Sequence, residues 1–229
     1  MKIRLPWLTL SLSVLVCAMA ALPGAAEALQ LDRRASGVSA LYRALTGHLV
    51  HFNANHLTWD VAALLLLGGW AETLSRRGMR LTLWLSAITI SASVWFFQPQ
   101  FTCYRGLSGI DSALAGYAIA HLFRSARATR DSGTARIAAG AALFFAGKSI
   151  YELTTGGTLF TEPTAAFAAV PLAHLVGFAT GVAVAALTRP GRSPSRRCAG
   201  CSTPVRPRET PPASHSRWPP ARGVSSPGR

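Results

Sequence analysis

Long apolar stretches recur along this chain of 229 residues, separated by short polar and glycine-containing segments. Each stretch approaches the length of about 17–25 residues that an α-helix needs to cross the hydrocarbon core of a bilayer. The pattern predicts six spanning helices, at residues 5–23, 56–74, 80–97, 108–123, 135–153 and 167–187. The expected fold class is therefore all-α, a polytopic membrane protein built as a bundle of six transmembrane helices.

Residues 1–28 form the first predicted unit, and they fit two descriptions. Lys2 and Arg4 precede the apolar run, and Ala26-Glu27-Ala28 offers a small-residue cleavage site, as in a secretory signal. The apolar run is long for a signal, which favours a retained first transmembrane helix. Both descriptions stay open at this point.

The rest of the chain divides into a core and a tail. Residues 29–188 are predicted to form the core, since they hold the other five apolar stretches. Residues 189–229 hold nine of the 14 prolines and nine of the 23 basic residues, with Glu209 as their one acid. Such a composition predicts a disordered basic tail.

Basic residues predict the orientation of the helices, because loops on the cytoplasmic side carry an excess of Lys and Arg. If the N-terminus lies inside and all six helices cross the membrane, most basic residues lie on the inner side. They are Lys2 and Arg4, the arginines of residues 76–80, the arginines of residues 124–136, and those of the tail. The outer side receives four arginines and Lys148 lies within the fifth helix. The tail is thus cytoplasmic, and loss of residues 1–28 would leave the other helices oriented the same way.

The net charge of +14 and the four cysteines add little chemistry. The basic tail lacks the interspersed aromatic residues that are typical of nucleic-acid binding. We therefore expect it to lie near anionic lipid headgroups rather than to bind nucleic acid. Cys198 and Cys201 form a lone C-x-x-C, which is half of a zinc site at most. We therefore expect no metal and no cofactor.

One serine and one histidine within the apolar segments indicate catalysis. Ser108 begins the fourth predicted helix at its outer end, and His174 lies seven residues into the sixth, roughly 10 Å deeper. Histidine is the usual base that activates a serine nucleophile. Gly106 and Gly109 flank the serine and leave backbone amides accessible for an oxyanion at the helix start. Small residues also permit close contact between helices, and Gly177 and Gly181 form a G-x-x-x-G in the sixth segment.

At this point the chain resembles the rhomboid family of intramembrane serine proteases. Gly106-Leu107-Ser108-Gly109 looks like its GxSG motif, and Ala173-His174 followed by Gly177 and Gly181 looks like its AHxxGxxxG motif. The run from His51 through His56 to Asp60, followed by Leu67-Gly68-Gly69, is similar to the second helix of the family. These three motifs cover about residues 45–187.

The resemblance implies a rhomboid-like bundle with Ser108 as nucleophile and His174 as general base. It also implies that His56 and the amides near Gly109 hold the oxyanion, and that His51 shapes the loop before the second helix. Residues 29–48 would form a partly membrane-embedded hairpin, and their apolar residues among charges fit an interfacial amphipathic element.

Two positions depart from the family pattern. Asp60 stands where most rhomboids carry an oxyanion asparagine, so it must be protonated, turned away, or bonded to His56 as the partner that orients it. We favour the last. Ser112 stands where rhomboids often carry a tyrosine, one turn after the serine. Asp111, the residue before it, is either a charge at the helix start or a partner for His174.

Further residues resemble the rhombosortase subfamily, namely Trp59-Asp60, Tyr104-Arg105 ahead of the serine motif, and Gly147-Lys148-x-x-Tyr151-Glu152. That resemblance implies a bacterial inner-membrane protease with a periplasmic active site. Its substrates would be exported proteins with a Gly-rich motif, an apolar helix and a basic cluster at the C-terminus. Lys148 and Glu152 are four apart on one helix face, where a neutralising ion pair is the simpler account and catalysis the alternative.

Two other classes of protein compete with a protease. A non-catalytic rhomboid-like protein would bind membrane helices, and Asp60 keeps this alternative open. A small transporter would need a polar path across the whole bilayer or an internal repeat. The inner halves of the predicted helices show neither.

Overall fold

A computed structural model describes residues 5–157 and 170–188 of the chain, which are mostly helical. The helices are α1 (Trp7–Ala21), α2 (Ala25–Leu29), α3 (Gly37–Thr46), α4 (Ala54–Ala63), α5 (Gly69–Leu74), α6 (Arg76–Phe97), α7 (Ser108–Thr129), α8 (Ser132–Thr155) and α9 (Pro171–Leu187). A 3₁₀ turn spans Gly47–Leu49, and a π-helical turn at Leu64–Gly68 joins α4 to α5. Two short strands, β1 (Leu31–Asp32) and β2 (Cys103–Tyr104), pair antiparallel.

Helices occupy each of the six apolar stretches that the sequence predicts, which confirms the all-α class. Over the described ranges, only α6 passes a length and hydropathy test for a membrane span, while α1 and α9 are apolar but shorter. The number of crossings therefore stays a prediction. The predicted tail and residues 167–169 of the sixth segment lie outside the described residues.

The polar and apolar residues of the bundle are distributed as lipid surroundings require. Polar side chains are buried between helices, among them Thr9, Ser13, Thr82, Ser86 and Ser91. Large apolar side chains are exposed instead, among them Trp84, Ile88, Phe97, Leu143 and Phe144. Such an apolar exterior is unusual for a monomer in water and indicates contact with a membrane or a partner.

The segment between α1 and α4 is joined through β1 to β2, in the loop that leads into α7. Arg33 follows β1 and donates hydrogen bonds to four carbonyl oxygens at the end of α6 and just beyond it, those of Val94, Trp95, Gln98 and Phe101. These bonds satisfy carbonyls that a helix end leaves without partners. In α3 the large apolar residues are exposed, namely Val38, Leu41, Tyr42 and Leu45. An interfacial position for this face stays a prediction.

Helix α1 is fixed to the bundle by the buried carboxylate of Glu72, which lies in α5. Its Oε2 accepts hydrogen bonds from the amide and the hydroxyl of Thr9, at 3.0 and 3.1 Å, and its Oε1 accepts from the Leu8 amide at 3.3 Å. Arg76 lies 3.3 Å from the same carboxylate. Glu72 therefore caps the free amides at the start of α1 from a distant part of the chain.

We expect Glu72→Ala to lower the free energy of unfolding by about 1–3 kcal/mol, because buried donors lose their acceptor. Glu72→Gln keeps an acceptor oxygen and should lose less. Unfolding of the protein in detergent, followed by circular dichroism, measures both. Glu27→Gln is the control, since that carboxylate is exposed in its ion pair with Arg105, and equal losses in all three variants would contradict the capping role.

Candidate active site

The site is built on a direct backbone contact between α7 and α9. A Cβ on Gly177 would collide with the carbonyl of Gly109, and a Cβ on Gly181 would collide with the carbonyl of Ala113. Both glycines face α7 one turn apart, so the G-x-x-x-G of α9 lies flat on the neighbouring helix. A larger residue at either position would push the two helices apart.

This contact brings the segments of Ser108 and His174 together. Ser108 is the first residue of α7 and is partly buried. A Cβ on Gly109 would lie 3.2 Å from the carbonyl oxygen of Ala173. The residue after the serine therefore touches the residue before the histidine.

His174 lies nearer the start of its helix than the sequence predicts. Helix α9 begins at Pro171, whose fixed φ suits the first helical position. His174 is thus in the first turn, level with Ser108 at the start of α7. Within residues 5–157 and 170–188, no hydrogen bond joins the serine hydroxyl to this ring. Catalytic hydrogen bonds are often long in resting enzymes and tighten in the substrate complex.

The Nδ1 atom of His174 contacts Glu152 of α8, whose Oε2 lies 2.8 Å away. The other carboxylate oxygen of Glu152 lies 2.5 Å from Nζ of Lys148. The predicted Lys148–Glu152 pair is present. The alternative of Asp111 as partner of His174 is wrong, since both oxygens of its buried carboxyl lack a hydrogen-bond partner in the described part of the chain.

The sequence left Lys148 and Glu152 as an ion pair or as catalytic residues, and it did not predict the contact of Glu152 with the histidine. A signal was present, because a Lys and a Glu inside an apolar segment mark a functional site by default. No spacing rule connects residue 152 to residue 174, however. The contact depends on how α8 and α9 meet.

Asp60 lies at the centre of a second cluster, beside the start of α7. Its Oδ2 accepts a hydrogen bond from the Leu107 amide at 2.8 Å and lies 3.1 Å from Nε2 of His51 and 3.3 Å from Nε2 of His56. Asp60 is therefore turned towards His56, which excludes the alternative that it points away. The same carboxylate also ties His51 to the loop that carries the serine.

Gly106 lets this cluster approach the serine loop. Its φ of +120° lies in the region that side chains disfavour, and a Cβ there would lie 2.6 Å from Cε1 of His56. Its amide donates to the Gly47 carbonyl at 3.1 Å. Glycine is thus required by both conformation and space. His56 thus lies directly beside the loop that carries the serine.

Tyr104 packs close to the same loop. A Cβ on Gly109 would lie 3.2 Å from its hydroxyl oxygen. Burial, with the charges of Asp60 and Asp111, raises the pKa of this hydroxyl well above its usual range. Tyr104 therefore remains a protonated, neutral group at the edge of the site.

We expect Asp60→Ala to cost about 1–3 kcal/mol of folding free energy, because the buried Leu107 amide loses its acceptor. Asp60→Asn keeps an oxygen that can accept from that amide, so its loss should be smaller. Chemical unfolding of both variants in detergent measures the difference. An alanine variant as stable as the unmodified protein would contradict this role for the carboxylate.

The described residues contain no group of three or more His, Cys, Asp or Glu side chains arranged to hold a metal ion. What the site offers is a serine at a helix start, a histidine on the facing helix, and a buried carboxylate behind each of two histidines. The amides of the first turn of α7 lack partners within the helix and favour negative charge nearby. These are the parts needed for acyl transfer through a serine.

A comparison with protein families agrees with this chemistry. The model of the Rhomboid domain matches residues 38–191, from within α3 to beyond the end of α9. A search of curated proteins finds no match. The matched range includes every residue of the site described above and spans well over half of the chain. The chain therefore belongs to the rhomboid family, a family of intramembrane serine proteases.

Proposed function

We propose that this protein is an intramembrane serine endopeptidase in which Ser108 is the nucleophile and His174 the general base. The observation that carries the proposal is the backbone contact of α7 with α9, made by Gly109, Gly177 and Gly181. It holds the two first turns side by side, and each of those turns carries one of the two reactive residues. A protein that only binds helices has no need for this pairing.

The proposed reaction has two stages. His174 takes the proton of the Ser108 hydroxyl as its oxygen attacks the scissile carbonyl, and the same ring then returns the proton to the leaving amine. An acyl-enzyme forms on the serine. Water, again deprotonated by the histidine, releases the second product and restores the free hydroxyl.

Charge on the attacked carbonyl oxygen needs donors that are in place before the reaction. The first-turn amides of α7, at Ser108 and Gly109, are proposed to supply them, together with His56. Asp60 lies within 3.3 Å of His56. A carboxylate at this distance orients the ring.

The proposed substrate is a transmembrane or C-terminal sorting helix of an exported protein, as in rhombosortases. Such a helix has its carbonyls in internal hydrogen bonds, and it must unwind before attack because unsatisfied backbone in lipid is costly. Glycines near the cut make unwinding easier. The proposed location is the bacterial inner membrane, with the site facing the periplasm and residues 189–229 in the cytoplasm.

Cleavage by the purified protein in proteoliposomes tests the proposal. Two reporters carry the same apolar helix and basic C-terminal cluster, and only one has a Gly-rich motif ahead of the helix. We expect cleavage near the outer end of the helix, faster for the Gly-rich reporter. Equal rates would remove the rhombosortase assignment. Binding without cleavage of either reporter would favour the helix-binding alternative.

A further inference from the structure

Glu152 uses its two carboxylate oxygens for two different partners. Oε2 lies 2.8 Å from Nδ1 of His174, and Oε1 lies 2.5 Å from Nζ of Lys148. The side chain is almost completely buried, at 3 % exposure for the residue. A carboxylate can be buried in this way only with partners for its charge.

A helix-face ion pair alone does not explain this arrangement. Lys148 and Glu152 are four residues apart on α8, and that pairing needs one carboxylate oxygen. The second oxygen is directed across the helix interface to α9, where it meets the one described histidine of that helix. The residue that contacts Glu152 from α9 is also the proposed general base.

We propose that Glu152 is a positioning residue for His174, so that the catalytic unit is a Ser108–His174–Glu152 triad with Lys148 as the counter-charge of the carboxylate. This inference rests on the proposed function, in which His174 is the base. It goes beyond a serine–histidine pair, because it assigns a third member from a different helix.

The geometry gives Glu152 two effects on the ring. A carboxylate at Nδ1 accepts a hydrogen bond from the N–H of the ring there, which leaves the lone pair on Nε2 to receive the Ser108 proton. Once that proton has moved, the ring is a cation and the neighbouring negative charge stabilises it. The proton on Nδ1 stays on the ring throughout, and Nε2 passes its proton to the leaving amine.

Lys148 has a separate task in this arrangement. The carboxylate of Glu152 lies between two partners, Lys148 on its own helix and His174 on α9. Without Lys148 the buried carboxylate would carry an unpaired charge and would tend to take up a proton. The ammonium group keeps it ionised and therefore able to act on the histidine.

Three variants separate a positioning role from a purely structural ion pair. They are Glu152→Gln, Lys148→Met and the double variant with both changes. If Glu152 serves only to neutralise Lys148, each single change leaves a buried group unpaired and the double change restores function. If Glu152 acts on His174, the double variant stays as slow as Glu152→Gln.

We expect Glu152→Gln to lower kcat by about 10²–10⁴-fold, by analogy with loss of the carboxylate in a serine–histidine–aspartate triad. KM for the reporter should stay within about twofold, because the carboxylate does not touch substrate. Lys148→Met should lower kcat by less than Glu152→Gln does, since only a fraction of the carboxylates takes up a proton and the rest still act on His174. Asp131→Asn, a change in an exposed carboxylate that caps the start of α8, 21 residues before Glu152 along the same helix, is the control. Recovery of kcat in the double variant would overturn the proposal, as would an unchanged kcat in Glu152→Gln.

A spectroscopic test does not depend on turnover. In protein labelled with ¹⁵N at histidine, we expect His174 to show the tautomer protonated at Nδ1, and we expect this signature to be lost in Glu152→Ala. A ring protonated at Nε2 in the resting protein would overturn the inference. If reporters are not cleaved but the tautomer is as expected, the proposed function fails while the contact between Glu152 and His174 stands.

Discussion

Replacing Ser108 by Ala is expected to lower the rate of reporter cleavage by at least about 10⁴-fold, since no nucleophile remains and only oriented binding is left. His174→Ala should have an effect of the same size, because the serine hydroxyl is a poor nucleophile without a base. The double variant should be no worse than either single one, as residues of one catalytic unit are not additive. Single-turnover cleavage in proteoliposomes measures all three.

Two controls make this result specific. Ser112→Ala removes another buried hydroxyl of α7, one that donates to the Ser108 carbonyl at 2.8 Å within the helix, and it should retain most activity. Reporter binding should survive in Ser108→Ala. Cleavage that persists without Ser108 would mean that another residue attacks the peptide bond, and the protease assignment of this serine would fail.

The second large effect is expected from Gly177→Ala. Its new Cβ would collide with the backbone carbonyl of Gly109, which cannot rotate away as a side chain could. We expect a loss of about 1–3 kcal/mol in folding free energy from overpacking. Activity should fall by about 10²-fold, because separation of α7 and α9 misplaces the base relative to the nucleophile.

Gly140→Ala is the matched control, since it also lies in a helix but its Cβ would meet nothing within 4 Å. It should be neutral or slightly stabilising, as Ala favours helix by up to about 1 kcal/mol over Gly. Thermal unfolding and kcat are measured for both variants. A Gly177→Ala protein that matches Gly140→Ala in both would show that the close helix contact is not needed.

The sequence predicts the helices well because apolar length is a local property. The apolar stretches of α6 and α7 are easily recognised in the sequence. Gly106 and Gly109, on either side of the serine, are the small residues that close contacts of the backbone require. Helix starts are harder to place. The sixth apolar segment is predicted to begin at residue 167, but α9 begins at Pro171. His174 therefore lies closer to the start of its helix than expected.

Contacts between helices are where sequence reasoning stops. The Lys148–Glu152 pair follows from a four-residue spacing, whereas the Glu152–His174 contact depends on how α8 and α9 pack. For Asp60, the sequence left three alternatives open and favoured the contact with His56. The Leu107 amide donates to the carboxylate, which excludes the alternative that the side chain is turned away. Neither outcome is encoded in a local pattern.

The central claim is that Ser108 is a nucleophile activated by His174. Labelling of the purified, full-length protein with a fluorophosphonate probe, followed by mass spectrometry of its peptides, tests it most directly. We predict one adduct, on the Ser108 oxygen, which is lost in Ser108→Ala and strongly slowed in His174→Ala. An adduct on another residue, or labelling of Ser108 at full rate without His174, would contradict the account.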